Sequence, residues 1–218
     1  VRFVVTAGPT REAIDPVRFI SNRSSGKMGY AIAEAALARK HDVTLISGPA
    51  RIAPPRGAKN VSITTSDELH DAVHRAVPEC DVLVMCAAVS DYKPAAPSPR
   101  KIKKRNTPFA LKLIPTRDIL ASLPQGDRDY LVVGFAAETH DLKINAQKKL
   151  RAKHCDAIVA NDVSGSETGM ESDENEVTIF FRNGESIKIL RAPKKIIARE
   201  LVKIFAKMWE KSLTKKSW

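Results

Sequence analysis

Three stretches of the chain, VRFVVTA (1–7), CDVLVMCAA (80–88) and LVVGFAA (131–137), are apolar at nearly every position instead of at alternate ones. A strand with one wet face alternates between apolar and polar residues. A strand covered on both faces does not, and such strands belong to parallel sheets sandwiched between helices. Shorter strand patterns, DVTLIS, NVSIT and DAIVAN, fall between helical ones. Tyr30–Lys40 is alanine-rich, Asp67–Ala76 has helical spacing with Ser66 as a possible cap, and Thr139 to Lys153 is charged and helix-like. This βαβ rhythm predicts an α/β fold with a doubly wound, mostly parallel, Rossmann-like sheet. With 218 residues and no internal linker, 1–218 reads as a single domain.

The last third changes character. VTIFF, RNGE and SIKIL predict a C-terminal β-hairpin extension turning at Asn183-Gly184. A closing helix from about Pro193 to Trp209 places Ile196, Ile197, Leu201, Ile204 and Phe205 on one face. The tail, 210–218, is expected to fray. Lys93 to Pro108 carries four prolines and a dense set of cations, a poor core and a plausible mobile flap.

The net charge of +11 invites a nucleic-acid reading. Aromatics are few, however, and none alternate with basic residues as a stacking platform requires. A polyanionic small substrate suits the charge equally well. No apolar run reaches about 18 residues and no signal peptide is visible, so neither membrane nor export is expected. Three cysteines without a CxxC fit a reducing, cytoplasmic setting. His70 and His74, one turn apart, lack a third nearby metal ligand.

SNRSSGKMG (21–29) lies between the first strand and the first helix. It is not a P-loop, because Ser21 and Met28 stand where that pattern needs Gly and Ser or Thr. Nor is it a dinucleotide fingerprint, since Gly26 and Gly29 supply only the end of one. Tyr30, Tyr92 and Tyr130 lack the lysine four residues on that a short-chain dehydrogenase uses. The stretch still suits an anion: Gly26 and Gly29 permit close backbone approach, and Ser24, Ser25 and Lys27 add donors at a helix N-terminus. An ordinary helix start capped by Ser24 or Ser25 explains it as well.

Further candidates sit at strand carboxyl ends, where open α/β sheets bind ligands. Ala87-Ala88-Val89-Ser90-Asp91 offers small residues against which a ribose or flat ring packs. Its Asp91 would bind a hydroxyl or a metal ion, or simply cap a turn. Gly134 to Glu138 is followed by Lys149 and Lys153, two ammonium groups on one helical face, with Phe135 as a stacking partner. Asn161-Asp162-Val163-Ser164 ends another strand. Lys101-Ile102-Lys103-Lys104 is either a solvated face or the tip of a closing flap.

In order and spacing, TAGPTREAIDPVRFISNRSSGKMG, CAAVSDYKP, KIKK, GFAAET and ANDVS resemble the phosphopantothenoylcysteine synthetase family, the ligase half of the bacterial coenzyme A bifunctional proteins. The likeness runs from about residue 3 to about residue 205. It implies a homodimer formed through the β-extension. It also implies a ligase that joins 4'-phosphopantothenate to L-cysteine through an acyl-cytidylate, with CTP giving CMP and pyrophosphate. Magnesium or manganese is expected with the triphosphate. The flavin-dependent decarboxylase of the bifunctional proteins, and its flavin, are not expected in this chain; it would be a fused or separate partner.

The same resemblance implies roles for residues. Asn22 matches the asparagine that handles the acyl-cytidylate, and Lys101 the lysine of the activation step. Met85, Cys86, Ala87 and Asp91 match nucleotide contacts, with Ala88 beside them. Phe135, Lys149 and Lys153 match residues around the cytosine. Arg117, Asp118, Ile119 and Leu120 fall where the family reads Pro-Asp-Ile-Val; Thr116-Arg117 departs from its Asn-Pro, and Asp118 is a second possible metal ligand. NAD(P)-dependent oxidoreductase and non-catalytic nucleic-acid module are the rival readings.

Overall fold

A computed structural model describes residues 1–126, 128–138, 140–162 and 172–216. The chain opens with β1 (Arg2–Ala7), a small β2–β3 hairpin (Arg11–Ala13, Phe19–Ser21) and α1 (Lys27–Ala38). β4 (Asp42–Ser47), β5 (Lys59–Ser62), α2 (Ser66–Ala76) and β6 (Val82–Met85) follow. A second two-stranded unit, β7 (Tyr92–Pro94) and β8 (Leu113–Pro115), brackets an excursion and leads into the short α3 (Ile119–Ser122). β9 (Leu131–Glu138), α4 (Leu142–Ala152) and β10 (Ala157–Asp162) complete the parallel part. The hairpin β11 (Glu174–Phe181) and β12 (Ser186–Pro193) ends in α5 (Lys194–Lys216).

The eight-stranded sheet runs β12-β11-β10-β9-β6-β1-β4-β5. From β10 to β5 every pairing is parallel, and β11 and β12 add an antiparallel edge. The unbroken apolar runs now have their reason. Phe3, Val5, Val82 and Val84 face a core shared with α1 and α5. Val4, Leu83 and Met85 face a second core shared with α2, α3 and α4. The predicted hairpin extension therefore does not leave the sheet but widens it, with Ala157↔Phe181 and Ala160↔Thr178 in register.

Local expectations change in three places. α2 is capped by Thr65, not Ser66: Thr65 Oγ1 accepts from Glu68 N while Glu68 bonds back to Thr65 N, a reciprocal box that Ser66 lacks the spacing for. α5 continues to Lys216, so residues 210–216 are helical and not frayed, and only 217–218 lie outside the described residues. Its buried stripe is Ile197, Ala198, Leu201, Val202 and Phe205, and Ile196 is left 45% exposed. No helix among the described residues is long and apolar enough to cross a membrane.

The loops that follow β1 and β4 press together. A Cβ built on Gly48 would lie 2.0 Å from the Pro9 carbonyl oxygen. That neighbour is backbone and cannot swing aside, so Gly48→Ala is expected to cost at least about 1–3 kcal/mol. For a chain of this size that lowers the melting midpoint by roughly 2–10 °C, read by calorimetry. An unchanged midpoint would mean that the 8–9 turn yields freely.

Candidate active site

The order of the strands reverses at β1 and β6: β1 leads through α1 to β4 on one side, and β9 leads through α4 to β10 on the other. The crevice beyond such strand ends is where doubly wound sheets bind ligands. Here it is a cavity of about 1020 Å³. Its walls come from both faces of the sheet.

Thr6 fixes the floor. Its Oγ1 accepts from Cys86 N at 3.1 Å and Ala87 N at 3.0 Å, satisfying two donors that the end of β6 leaves outside the ladder. Ala88 N bonds Gly8 O, Thr10 N bonds Ala88 O, and Thr10 Oγ1 accepts from Ser90 N. The two loops are thereby stitched into one surface, and Met85, Cys86, Ala87, Ala88 and Asp91 all line the cavity. Asn22 joins them from the β3–α1 loop, donating through Nδ2 to Val89 O at 2.9 Å. Burial pushes the Cys86 thiol up to about 12, so it is no nucleophile at neutral pH.

On the α1 face, Gly26 is the N-cap at φ 80°, a left-handed conformation that suits glycine, and its side-chain position abuts Gly8. A glycine and not a serine holds the N-cap position: Ser24 Oγ accepts from Gly26 N, and Ser25 Oγ accepts from Lys27 N, the first residue of α1, at 3.5 Å. The helical ladder begins with Tyr30 N on Gly26 O. Ser24, Gly26, Lys27 and Gly29 line the cavity, and Ser25 does not. Gly29 is also fixed by packing, since a Cβ there would meet Ala7 Cβ at 2.6 Å. Lys27 Nζ pairs with Asp173 Oδ1 at 2.6 Å.

On the α4 face, Lys149 Nζ donates to the Phe135 carbonyl oxygen at 2.7 Å, and burial lowers the ammonium pKa. Lys153, the C-cap residue of α4, pairs with Asp118. Burial alone would raise the Asp118 carboxyl, but Lys153 and the Ala121 N–H hold it below the usual carboxylate range. Asp118 caps α3 and binds Lys153. Arg117, Ile119, Leu120 and Phe135 also reach the cavity. Arg117 Nε lies 3.5 Å from Asp67 Oδ1. Asn161 is on the wall, whereas Val163 and Ser164 lie outside the described residues.

Lys101 is not brought to the cavity. Its neighbour Ile102 is held elsewhere: Ile102 N donates to Asp15 Oδ2 at 3.1 Å, and Arg18 donates to Ile102 O at 2.8 Å. Ser98 N also bonds Ile14 O. The flap therefore rests on the β2–β3 turn. Among the described residues, no three His, Cys, Asp or Glu side chains gather as a metal cluster; His70 and His74 stack on each other instead. The residue that sequence reasoning missed is Lys194, buried on the cavity wall at the start of α5. A cation in a helix's first turn opposes the macrodipole, and that misfit is the signal that singles it out.

A family model described as the DNA/pantothenate metabolism flavoprotein C-terminal domain matches residues 1–208. The chain is 43% identical over 204 residues to the coenzyme A biosynthesis bifunctional protein CoaBC of Bacillus subtilis, covering 93% of the chain and 50% of that protein. It is 42% identical over 207 residues to CoaBC of Escherichia coli, again 93% and 50%. It spans about half the length of these curated relatives. Among solved structures, the C-terminal domain of a CoaBC superposes with a TM-score of 0.82 at 40% identity, covering 96% of each chain. A Cab2 variant in complex with phosphopantothenate-cysteine superposes at 0.79 with 16% identity, covering 100% of this chain and 89% of that one, a likeness of fold.

Proposed function

Because this chain belongs to the family of the DNA/pantothenate metabolism flavoprotein C-terminal domain, we propose that it joins 4'-phosphopantothenate to L-cysteine in coenzyme A biosynthesis, with CTP as the activating nucleotide. The observation that carries the reading is the cavity at the β1/β6 reversal, with lysines on both faces of the sheet: Lys27 beyond β1, and Lys149 and Lys153 on the α4 side. Two polyanions have to meet before anything reacts, and such a cavity screens their repulsion.

In the first step the substrate carboxylate oxygen attacks the α-phosphorus of CTP, and the bond to pyrophosphate breaks. In the second, the cysteine amine attacks the acyl carbon, CMP departs, and the nitrogen releases a proton. Neither step needs a protein nucleophile, which fits thiols raised by burial at Cys80, Cys86 and Cys155. The protein's part is to position and neutralise. The Cys86–Ala88 backbone and Asp91 seat the nucleotide, Phe135, Lys149 and Lys153 hold its base, and Asn22 handles the acyl phosphate. Magnesium or manganese, bound when present mainly by the triphosphate, neutralises phosphate charge. Asp91, on the cavity wall with no salt bridge among the described residues, is the carboxylate that fits it. A homodimer through the hairpin belongs to the same reading, supported by β12, an outer strand that leaves Leu190 70% exposed. So do a cytoplasmic setting and a decarboxylase partner, fused or separate.

The test is pyrophosphate release and amide formation from CTP, 4'-phosphopantothenate and cysteine. Pyrophosphate is expected only with both CTP and the acid present, and amide only after cysteine is added. Thermal stabilisation by NADPH or an oligonucleotide, without turnover, would overturn the assignment. Base choice has its own variant. A lysine N–H complements the O2 and N3 acceptors of cytosine and not the N6 amino donor of adenine. Replacing Lys149 and Lys153 together by Ala is therefore expected to raise KM for CTP about tenfold more than KM for ATP. Equal losses would assign both lysines to phosphate or to the fold.

A further inference from the structure

The apolar run of β10 gives way to an asparagine. Ala157 and Val159 face the core under α1 and α5, while Ile158 and Ala160 face the core under α2, α3 and α4. Side chains alternate along a strand, so Asn161 continues the row of Ala157 and Val159. An apolar residue there would extend the core, and asparagine is depleted in strands. Nor does Asn161 terminate the strand: it is in register with Ala137, and Asp162 beyond it with Glu138. Asn161 is 8% exposed, and it lines the cavity. Among the described residues its side-chain amide makes no hydrogen bond, through either its oxygen or its nitrogen. Asn175 of β11 also lines the cavity, but its Oδ1 already accepts from Glu176 N at 3.0 Å. A buried carboxamide costs free energy until a partner satisfies it.

The chemistry of that partner is restricted. A carboxamide sets an acceptor and two donors side by side. A phosphate or carboxylate uses only the donors and is repelled by the oxygen. An ammonium uses only the oxygen. A neutral group with a carbonyl and a hydroxyl on adjacent carbons satisfies both ends at once. 4'-Phosphopantothenate contains such a group midway along its length, a hydroxyl on the carbon next to its amide carbonyl. We propose that Asn161 is a specificity-determining residue that holds this α-hydroxyamide, with Nδ2 donating to the substrate's amide carbonyl oxygen and Oδ1 accepting from its hydroxyl. The proposal rests on the function read above. Lys149 and Lys153 belong to α4, which packs on the other face of the sheet through Ala146 and Leu150. A nucleotide base held by those lysines leaves the face of Val159 and Asn161 to the acid.

The experiment pairs the parent protein and Asn161→Leu, an apolar side chain of similar size, with two ligands: 4'-phosphopantothenate and its counterpart lacking that hydroxyl. Binding is measured by calorimetry without nucleotide, and KM for CTP by pyrophosphate release. The parent is expected to bind the hydroxylated acid about tenfold or more tightly than its counterpart, because the counterpart leaves Oδ1 buried and unpaired. Asn161→Leu is expected to bind the two acids within about twofold of each other, the loss falling on the hydroxylated one, with KM for CTP changed by less than about twofold. A side chain that served only the fold would weaken both acids alike and leave the preference intact, which overturns the proposal. Equal binding of the two acids by the parent, or binding of neither, overturns it as well, and that comparison stands even if Asn161→Leu fails to fold. A rise in KM for CTP matching the loss of the acid would give Asn161 to the nucleotide instead. A parent protein that prefers the hydroxylated acid but releases no pyrophosphate would disprove the ligase reading and leave Asn161 as a ligand of the hydroxyamide.

Discussion

Asn22→Asp is expected to reduce amide formation by about a hundredfold or more while the first turnover of pyrophosphate survives. Removal of one preorganised donor from a site of developing charge costs on this scale. The side chain is held in place by Nδ2 donating to the Val89 carbonyl oxygen. A carboxylate there turns that attraction into a clash of two acceptors and, in the proposed reaction, adds a negative charge beside the acyl phosphate. Both effects fall on the stage at which the intermediate must be held for the amine. Rapid-quench sampling of pyrophosphate and amide separates the two steps. Normal turnover in the variant would remove Asn22 from the mechanism.

Lys101→Gln is expected to lose about 2 kcal/mol of transition-state stabilisation, roughly thirtyfold in kcat/KM, and Lys104→Gln far less. Lys101 is exposed beside a clasp: Asp15, its side chain fully buried, accepts from Val17, Arg18 and Ile102. The Arg18 guanidinium holds the Asp15 carboxyl well below the usual range. The clasp is therefore fully charged above ordinary carboxylate pKa values and is lost only in strong acid. For Lys101 to meet a triphosphate, the flap must leave this rest. Trypsin is accordingly expected to cut 95–112 readily in the free protein and slowly with CTP and magnesium. Equal effects at the two lysines with unchanged cleavage would mark the run as ordinary charged surface.

What the sequence disclosed followed the range of the forces involved. CDVLVMCAA and LVVGFAA announced buried parallel strands because burial on two faces writes itself into every position. The small residues Ala87 and Ala88 could be placed at a strand's carboxyl end because such an end can be read locally, and they line the cavity there. The capping box of α2 was equally local, Thr65 followed three residues later by Glu68, but Ser66 adjoins it and drew the assignment. Ile196 fell on the wrong face because helical phase depends on where α5 begins. What is harder to read is non-local. Lys101 stands where its motif is recognisable, yet its distance from the cavity is set by Asp15 and Arg18, more than eighty residues earlier. Lys194 becomes a wall of the cavity only because the hairpin returns the chain to α1.

The cavity is bounded by side chains rooted in two separate cores, one under α1 and α5, the other under α2, α3 and α4. This gives the molecule a kind of modularity that its continuous central sheet conceals. Drift in the packing of Ile32, Leu201 or Phe205 tilts one wall and leaves the other standing; drift at Leu69, Ile158 or Leu150 does the reverse. Changes beneath α4 would therefore reshape one wall of the cavity and leave the other in place. Thr6, whose hydroxyl ties β1 to the β6 loop at the seam, answers to both sides, so variation there is disciplined by two demands at once.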